Sequence, residues 1–300
     1  MNDLQKELLT LDDCTFRQNC DLTSYTTFKL ASVGDLIEVH SVTALQKLLP
    51  KLKKFNKNYF VVGWGANQIL PAQCDELVIH LDFSFDQTYL DEKKDEYILP
   101  ASLGINYLTS HAVKFGLKGW DVFTGIPASL GGAIFMNAGT NLGEIGSLIK
   151  KVILVTPEGE LREEQITDKS FSYRKNHFVR PGEIIVGAVM IHYGSDALIS
   201  QKIKDYLQYR KMSQPLTTKN CGCVFKNPMK DFPAGKLIDL LQLKGVRSGD
   251  LKISPKHGNF MENSGKANWD QFKTLVDLIN FEMDHFYGLE FELEVKIPYH

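Results

Sequence analysis

A run of small, uncharged residues near the middle of the chain places the strongest constraint on its fold. The stretch GIPASLGGAIFMNAG, residues 125–139, holds four glycines and three alanines and has no charged side chain. A helix that spans a bilayer needs about 20 mostly apolar residues, but glycines, Pro127 and Asn137 interrupt the charge-free run from Val122 to Gly143. We therefore reject a membrane span and expect a loop whose backbone comes close to another group.

Composition and charge indicate two or three soluble domains in the cytoplasm. The chain has 300 residues, 43% of them hydrophobic, and a formal net charge of −2, which argues against the basic face of a nucleic-acid binder. The acidic N-terminal sequence lacks the basic start and apolar core of a secretory signal. The five cysteines are an odd number at irregular spacing, so we expect reduced thiols.

Hydrophobic periodicity predicts a mixture of helices and strands. Strands are expected at residues 35–40, 59–63, 76–81, 97–100, 183–193, 223–225 and 291–297, with a hairpin over 152–163. Helices are expected at residues 43–55, 105–119, 196–212, 234–245 and 268–288. Domain boundaries are expected near residues 90 and 200.

Two glycine-rich turns follow predicted strands, at residues 63–67 and 125–132. Glycine removes the side chain that would block a phosphate, and consecutive backbone N–H groups can point at an anion. Two such turns would suit a dinucleotide pyrophosphate, although the usual G-x-G-x-x-G fingerprint is absent. The alternative is that these glycines serve only tight turns and close packing.

Polar residues elsewhere have both functional and structural interpretations. Arg174 lies among aromatic residues, where partial desolvation would strengthen its action on a developing anion; the alternative is an exposed arginine. Cys223 belongs to a C-x-C pair, but structural zinc needs four ligands and no second pair is suitably spaced, so we expect no metal and leave a buried and a functional thiol open. Glu294 alternates with other glutamates on one face, which is typical of a solvated face. His257 is expected to be structural.

Several segments, in order from about Ser24 to Val295, resemble the UDP-N-acetylenolpyruvoylglucosamine reductases, in the shorter type that lacks an extra substrate loop. The segments are GIPASLGGAIFMNAG, FSYRKNHF, QPLTTKNCGCVFKNP, AGKLID with LKG after it, SPKHGNFMEN and FELEVKI. The resemblance implies an α+β protein with an FAD-binding fold of the vanillyl-alcohol-oxidase type. Two α/β subdomains, residues 1–90 and 91–200, would form that fold, and residues 201–300 would form an α+β substrate-binding domain.

The resemblance also implies an activity. NADPH would reduce non-covalently bound FAD, and the enolpyruvyl ether of UDP-N-acetylglucosamine would then be reduced to UDP-N-acetylmuramate in peptidoglycan synthesis. The alternatives are a flavin oxidase of the same fold and a non-catalytic protein that binds flavin or nucleotide sugar. We expect a monomer whose ligands are small molecules, with neither nucleic acid nor membrane as partner.

Three residues take catalytic roles by this resemblance. Arg174 and Glu294 would bind the charge of an enolate-like species better than they bind the substrate, with Glu294 protonated or sharing a proton. Cys223 stands where the family usually has a serine and would donate a proton to the α-carbon. An unperturbed thiol has a pKa of about 8.5, so it is mostly protonated at pH 7 and can act as a general acid, although a nearby cation would lower that pKa.

The implied ligand-binding residues fall into two groups. Those for FAD are Gly63, Trp64, Gly65, Ala66, Asn67, Gly125, Ile126, Pro127, Ala128, Ser129, Gly131, Gly132, Asn137 and Gly139. Those for the nucleotide sugar are Tyr173, Arg210, Lys226 and Asn227. Two departures affect individual FAD contacts: Ala66 replaces a common serine, and Ala31-Ser32 replaces a usual glycine pair.

Overall fold

Helices and strands are interspersed along the chain in an α+β arrangement. The computed structural model describes residues 3–229 and 231–298. The contacts divide the chain into two units. The first unit comprises Met1–Gln18, Leu36–Trp64 and Glu76–Leu207. The second unit comprises Asn19–Asp35, Gly65–Asp75 and Gln208–His300.

The regular elements have the following bounds. The helices are α1 (Asp3–Leu9), α2 (Val42–Lys54), α3 (Ile105–Phe115), α4 (Leu130–Phe135), α5 (Ile199–Ser213), α6 (Ala234–Leu240) and α7 (Trp269–Tyr287). The strands are β1 (Cys14–Asp21), β2 (Val33–Val39), β3 (Tyr59–Val62), β4 (Gln73–Leu81), β5 (Glu96–Pro100), β6 (Gly139–Thr140), β7 (Gly143–Glu144), β8 (Ile149–Val155), β9 (Leu161–Gln165), β10 (Phe171–Ser172), β11 (Lys175–Asn176), β12 (Ile184–Ile191), β13 (Arg247–Ser248), β14 (Leu251–Ile253) and β15 (Met261–Asn263). Short 3-10 turns lie at Thr23–Tyr25, Gln87–Leu90, Trp120–Phe123 and Ile145–Leu148.

Two four-stranded sheets organise the strands. One has the order β1-β2-β4-β3, with β3 parallel to β4, and the other has the order β5-β12-β8-β9. Strand β12 pairs antiparallel with both β5 and β8. Its apolar, mostly β-branched residues are almost all buried, as expected of a central strand covered on both faces.

Helix α2 buries one apolar face in the first unit. Ser41 caps its first turn by accepting a hydrogen bond from the Ala44 N–H, which satisfies one of the unpaired donors of a helix start. Leu45, Leu48 and Leu52 recur at helical spacing and lie in the core. The period of three and four residues in the sequence therefore places this helix correctly.

Helix α7 provides much of the core of the second unit. Asn268 and Gln271 form a reciprocal capping box at its start, and Gly288, with φ of 60°, ends it. Its apolar face buries Phe272 and Ile279 in the same cluster as Leu251 of β14 and Met261 of β15.

Two predicted helices end earlier than the sequence suggests. Helix α3 ends at Phe115 because Gly116 adopts the left-handed conformation. Helix α6 ends at Leu240, and Gln242 has a positive φ of 58°, which cannot continue a helix.

The predicted strands 223–225 and 291–297 form no continuous ladder. Isolated bridges join Cys223 to Phe260, Phe225 to Leu293, and Gln68 to Lys296. The final segment therefore takes its partners from two separate parts of the chain, one residue at a time. Among the helices of residues 3–229 and 231–298, none is both long enough and apolar enough to cross a membrane.

Candidate active site

The first glycine-rich turn needs glycine at position 65. Gly65 has a positive φ of 61°, and a Cβ atom there would overlap the carbonyl oxygen of Tyr25 and lie 2.5 Å from the Thr26 Cα. Within the described part of the chain, the backbone N–H groups of Gly65, Ala66 and Asn67 donate no hydrogen bond. Such a run of available donors, with no side chain at its first residue, fits an anionic group such as a phosphate.

The two glycine-rich turns meet in the first unit. A Cβ atom on Gly63 would overlap the hydroxyl oxygen of Ser129. The Trp64 ring lies against Gly104, where a Cβ atom would overlap it, and Gly104 forms an isolated bridge with Ser129. Gly104 was not among the predicted site residues. A glycine between the predicted strand 97–100 and the predicted helix 105–119, directly before that helix, is the signal that marks it.

The small-residue run packs mainly against the chain itself. The Gly131 N–H donates to the Ala101 carbonyl at 2.8 Å, and a Cβ atom on Gly131 would lie 2.7 Å from that of Ala101. Close packing, the alternative interpretation, therefore accounts for Gly131. The residues of the run that remain exposed or half-exposed are Gly125, Ile126, Pro127, Ala128, Gly132, Phe135, Ala138 and Gly139.

Asn137 turns its side chain inward, although the resemblance assigns it to FAD. It is 1% exposed. Its Nδ2 donates to the Glu144 carboxylate at 2.7 Å and to the Ser172 carbonyl at 3.1 Å, and its Oδ1 accepts from the Gly146 N–H at 3.0 Å. The amide is thus committed to contacts within the first unit.

Arg174 lies in the tight turn of a short hairpin. Strands β10 and β11 pair antiparallel with Ser172 opposite Lys175, so Tyr173 and Arg174 form the turn. Arg174 has a left-handed φ of 56°, which is uncommon for a residue with a side chain. Its Nη2 donates to the Gly139 carbonyl at 3.1 Å, and its guanidinium lies 5.1 Å from the centre of the Tyr173 ring. The half-buried guanidinium is therefore held at the end of the small-residue run, with the predicted substrate residue Tyr173 beside it.

In the second unit, Cys223 and Glu294 are close neighbours. The Glu294 N–H donates to the carbonyl of Val224 at 2.8 Å, and the Asn67 Nδ2 donates to the Glu294 carbonyl at 3.1 Å. Burial raises the pKa of the neighbouring Cys221 thiol, and the ionised forms of Cys223 and Glu294 raise it further. The structure thus places the predicted proton donor, the predicted carboxylate and one residue of the first turn together.

A buried asparagine that the sequence did not reveal fixes this segment. Asn259 is 3% exposed; its Oδ1 accepts from the Phe225 N–H at 2.9 Å and its Nδ2 donates to the Phe225 carbonyl at 2.8 Å. The backbone carbonyl of Asn259 also accepts from the Val224 N–H. Its neighbour His257 packs on Phe260, and burial lowers the pKa of His257, in keeping with the structural role expected of it.

The remaining predicted substrate residues have partners within the second unit. The Lys226 ammonium pairs with the exposed Glu292 carboxylate, a surface contact that a ligand can displace at small cost. The Asn227 Oδ1 accepts from the Ala234 N–H at 3.0 Å. The Arg210 Nε donates to the Gln214 side chain at 2.9 Å on α5.

Among residues 3–229 and 231–298, no three His, Cys, Asp or Glu side chains are grouped so that they could hold a metal ion. The five cysteines, all of them in the described residues, form no disulfide.

Two family models match the chain. An FAD binding domain matches residues 35–164, and the C-terminal domain of UDP-N-acetylenolpyruvoylglucosamine reductase matches residues 214–298.

Known proteins match over nearly the whole length. The UDP-N-acetylenolpyruvoylglucosamine reductase of Chlamydia pneumoniae is 31% identical over 94% of this chain and 92% of that protein. The enzyme of the same name from Thermotoga sp. (strain RQ2) is 33% identical over 95% and 94%. The crystal structure of the reductase from Thermus caldophilus superposes with a TM-score of 0.78, at 29% identity over 95% of this chain and 98% of that one. On this evidence the chain belongs to the UDP-N-acetylenolpyruvoylglucosamine reductase family.

Proposed function

We propose that this protein is an FAD-dependent UDP-N-acetylmuramate dehydrogenase that uses Arg174, Cys223 and Glu294. It reduces the enolpyruvyl ether of UDP-N-acetylglucosamine with NADPH, a step of peptidoglycan synthesis. The observation that carries the pairing of Cys223 with Glu294 is the hydrogen bond from the Glu294 N–H to the carbonyl of Val224, at 2.8 Å, because it brings together the two backbone segments that bear the thiol and the acid.

FAD supplies the two-electron chemistry that connects NADPH with the enolpyruvyl ether. In the second unit, the available N–H groups of Gly65, Ala66 and Asn67 suit its pyrophosphate. In the first unit, Gly63, Trp64 and the small-residue run would hold it without a covalent bond. Within that run, the proposed FAD-binding residues are Gly125, Ile126, Pro127, Ala128 and Gly132. Ser129 and Gly139 would contribute through their backbone.

Arg174 binds the negative charge that develops on the substrate. Its guanidinium stays protonated at all relevant pH values. It is half-buried and anchored on the Gly139 carbonyl, so its orientation is set before the charge develops. Preorganised charge of this kind stabilises a transition state more than it stabilises the substrate.

Glu294 and Cys223 act as a hydrogen-bond donor and a proton donor to the substrate. Glu294, protonated or sharing a proton, donates a hydrogen bond to the same charge, since a bare carboxylate would repel it. Cys223 donates its thiol proton to the α-carbon. The fixed backbone on both sides of Val224, from Asn259 and from Glu294, keeps the thiol in place for that transfer.

Substrate recognition is assigned to four residues. Tyr173 lies beside Arg174. Lys226 reaches an anionic substrate by exchanging its contact with Glu292. Arg210 and Asn227 complete the proposed set.

A flavin spectrum recorded without oxygen tests the function. Purified protein should be yellow, NADPH should bleach the flavin band, and the enolpyruvyl nucleotide sugar should restore it. Protein that cannot be reconstituted with FAD would contradict the proposal. Rapid oxygen consumption with an alcohol, and no reoxidation by the nucleotide sugar, would favour a flavin oxidase instead.

The assembly and location are also proposals. We propose a cytoplasmic monomer with three domains, at residues 1–90, 91–200 and 201–300. Light scattering after size exclusion tests the monomer, cell fractionation tests the location, and limited proteolysis near residues 90 and 200 tests the boundaries.

A further inference from the structure

Two asparagine amides connect the Arg174 hairpin to the end of α4. The Asn137 Nδ2, just after α4, donates to the carbonyl of Ser172 in β10 at 3.1 Å. In the opposite direction, the Asn176 Nδ2 in β11 donates to the carbonyl of Phe135, the last residue of α4, at 2.8 Å. We call Asn137 and Asn176 the amide clamp.

On the buried side of the clamp, both polar atoms of the Asn137 side chain have hydrogen-bond partners. Asn137 is 1% exposed, and its Oδ1 and Nδ2 also bond the Gly146 N–H and the Glu144 carboxylate. Its φ of 45° lies in the left-handed region, where asparagine and aspartate are the best-tolerated side-chain residues. A buried amide with all its partners holds a specific geometry, because losing one bond leaves another buried polar group unpaired.

The hairpin needs an external support. Strands β10 and β11 have two residues each, and an isolated short hairpin has little stability of its own. The clamp bonds fall at Ser172 and Asn176, on either side of the turn formed by Tyr173 and Arg174. The direction of the Arg174 guanidinium therefore depends on how these two amides hold the strands.

We propose that Asn137 and Asn176 are positioning residues for Arg174, which set its guanidinium for the substrate without touching the substrate themselves. This inference rests on the proposed role of Arg174 toward the enolpyruvyl group. It goes beyond that role because it proposes that Asn137 orients the Arg174 guanidinium and does not bind FAD. The clamp should then affect the step that consumes the enolpyruvyl substrate and spare the reduction of FAD by NADPH.

The substitution Asn137→Asp tests the clamp selectively. Aspartate keeps the left-handed backbone and the acceptor for the Gly146 N–H, but a carboxylate can donate neither to the Ser172 carbonyl nor to the Glu144 carboxylate. In anaerobic stopped-flow experiments on the FAD-loaded enzyme, we expect reoxidation of the reduced flavin by the enolpyruvyl nucleotide sugar to slow by about 10-fold or more, since small misplacements of a catalytic group have effects of this size. FAD reduction by NADPH should stay within about 2-fold of the parent rate, because Arg174 has no part in it.

A pH series on the Asn137→Asp variant adds a second readout. Protonation of the introduced carboxyl group supplies a single O–H donor and removes the repulsion between this group and the adjacent Glu144 carboxylate, which would otherwise disturb the clamp. The ratio of parent to variant reoxidation rates should therefore fall as the pH is lowered. A ratio that does not change with pH would contradict the proposal, because the defect would then not come from an ionised carboxylate in the clamp.

Control variants separate the possible outcomes. Asn141→Asp adds the same charge at an exposed position between β6 and β7 and should leave both half-reactions unchanged. Arg174→Lys should slow reoxidation; if it does not, the proposed role of Arg174 fails. If Arg174→Lys slows reoxidation and Asn137→Asp does not, the clamp alone is overturned, as it also is if Asn137→Asp slows both half-reactions equally.

A second variant covers the case in which Asn137→Asp does not yield FAD-loaded protein. Asn176→Asp keeps the acceptor for the Val179 N–H and loses the donor to Phe135. Slower reoxidation with normal FAD reduction supports the clamp, and normal rates in both half-reactions overturn it.

Discussion

Cys223 lies in a segment whose backbone is hydrogen-bonded on both sides. The Val224 N–H donates to the Asn259 carbonyl, and the Val224 carbonyl accepts from the Glu294 N–H. A thiol held in this way can be exchanged for a hydroxyl without a shift of the backbone.

We predict that Cys223→Ser retains activity and that Cys223→Ala loses it. Serine supplies a proton at the same position, whereas alanine removes the general acid, which typically contributes 10²–10⁴-fold, so we expect kcat to fall by about 10²-fold or more. The rate of FAD reduction by NADPH should not change in either variant. Steady-state assays and stopped-flow traces check this; parent-like kcat in Cys223→Ala would show that the proton comes from elsewhere.

Gly65 and Gly288 share a conformation but differ in their surroundings. Their φ values are 61° and 60°. A Cβ atom on Gly65 would overlap Tyr25, whereas a Cβ atom on Gly288 would meet nothing within 4 Å. The pair therefore separates backbone strain from steric overlap.

We predict that Gly65→Ala is more harmful than Gly288→Ala. The left-handed backbone alone costs about 1 kcal/mol of the free energy of unfolding in Gly288→Ala. The added overlap in Gly65→Ala should raise the loss to about 3 kcal/mol and weaken FAD binding. Urea unfolding and FAD titration measure both effects, and equal losses in the two variants would refute the steric argument.

At the scale of elements, an ion pair connects β9 with the residue before β12. Arg162 donates from Nε and Nη2 to the Glu183 carboxylate, at 2.8 and 2.7 Å, and to the Phe178 carbonyl at 2.9 Å. Burial alone would raise the pKa of Glu183, but the hydrogen bonds from Arg162 and from the Arg180 N–H, with the charges of both arginines, bring that pKa below its ordinary value.

We predict that this ion pair makes the free energy of unfolding decrease as the pH is lowered. Because the folded-state pKa of Glu183 is lowered, its contribution is complete above the unfolded pKa of about 4.3 and is lost as the pH falls through the folded value. Glu183→Gln removes one of the two carboxylates that pair with Arg162, the other being that of Glu164, and should cost about 2 kcal/mol at pH 7. Thermal unfolding between pH 7 and 3 should show a shallower decline in the variant; an unchanged decline would assign the acid sensitivity to other carboxylates.

The periodicity of apolar residues predicted the elements that bury a single apolar face or lie in the centre of a sheet. It predicted less well the segments whose pairing depends on residues far away in the chain. Helix α2 and strand β12 follow directly from their patterns of apolar residues. Residues 291–297 alternate as a strand would, yet they pair through isolated bridges and not in a continuous ladder, because their partners come from two separate segments.

The same limit applies to the site. The glycine pattern revealed both turns, and Gly63 and Ser129 do meet. The sequence could not show that Gly131 packs on Ala101, that Asn137 faces inward or that Asn259 fixes the Cys223 segment. Each of these depends on a contact between residues far apart in the chain.

At the scale of the whole molecule, FAD should act as a stabilising ligand. A ligand that binds only the folded state raises the free energy of unfolding by RT ln(1 + [L]/Kd), about 2.7 kcal/mol at 100 times Kd. We predict that Tm rises steadily with FAD concentration in protein stripped of flavin. Differential scanning fluorimetry with intrinsic tryptophan emission measures it. In Gly65→Ala, Tm should rise less at each FAD concentration. A Tm that does not change with FAD concentration would contradict the proposed binding.

The two-residue turn between Ser172 and Lys175 also limits which insertions and deletions the gene can accept during evolution. Inserting or deleting one codon there would move each later side chain of the hairpin to the opposite face and carry the guanidinium away from the Gly139 carbonyl. Working descendants of this chain should therefore tolerate changes of length in many surface loops, but keep the interval from Phe171 to Asn176 constant.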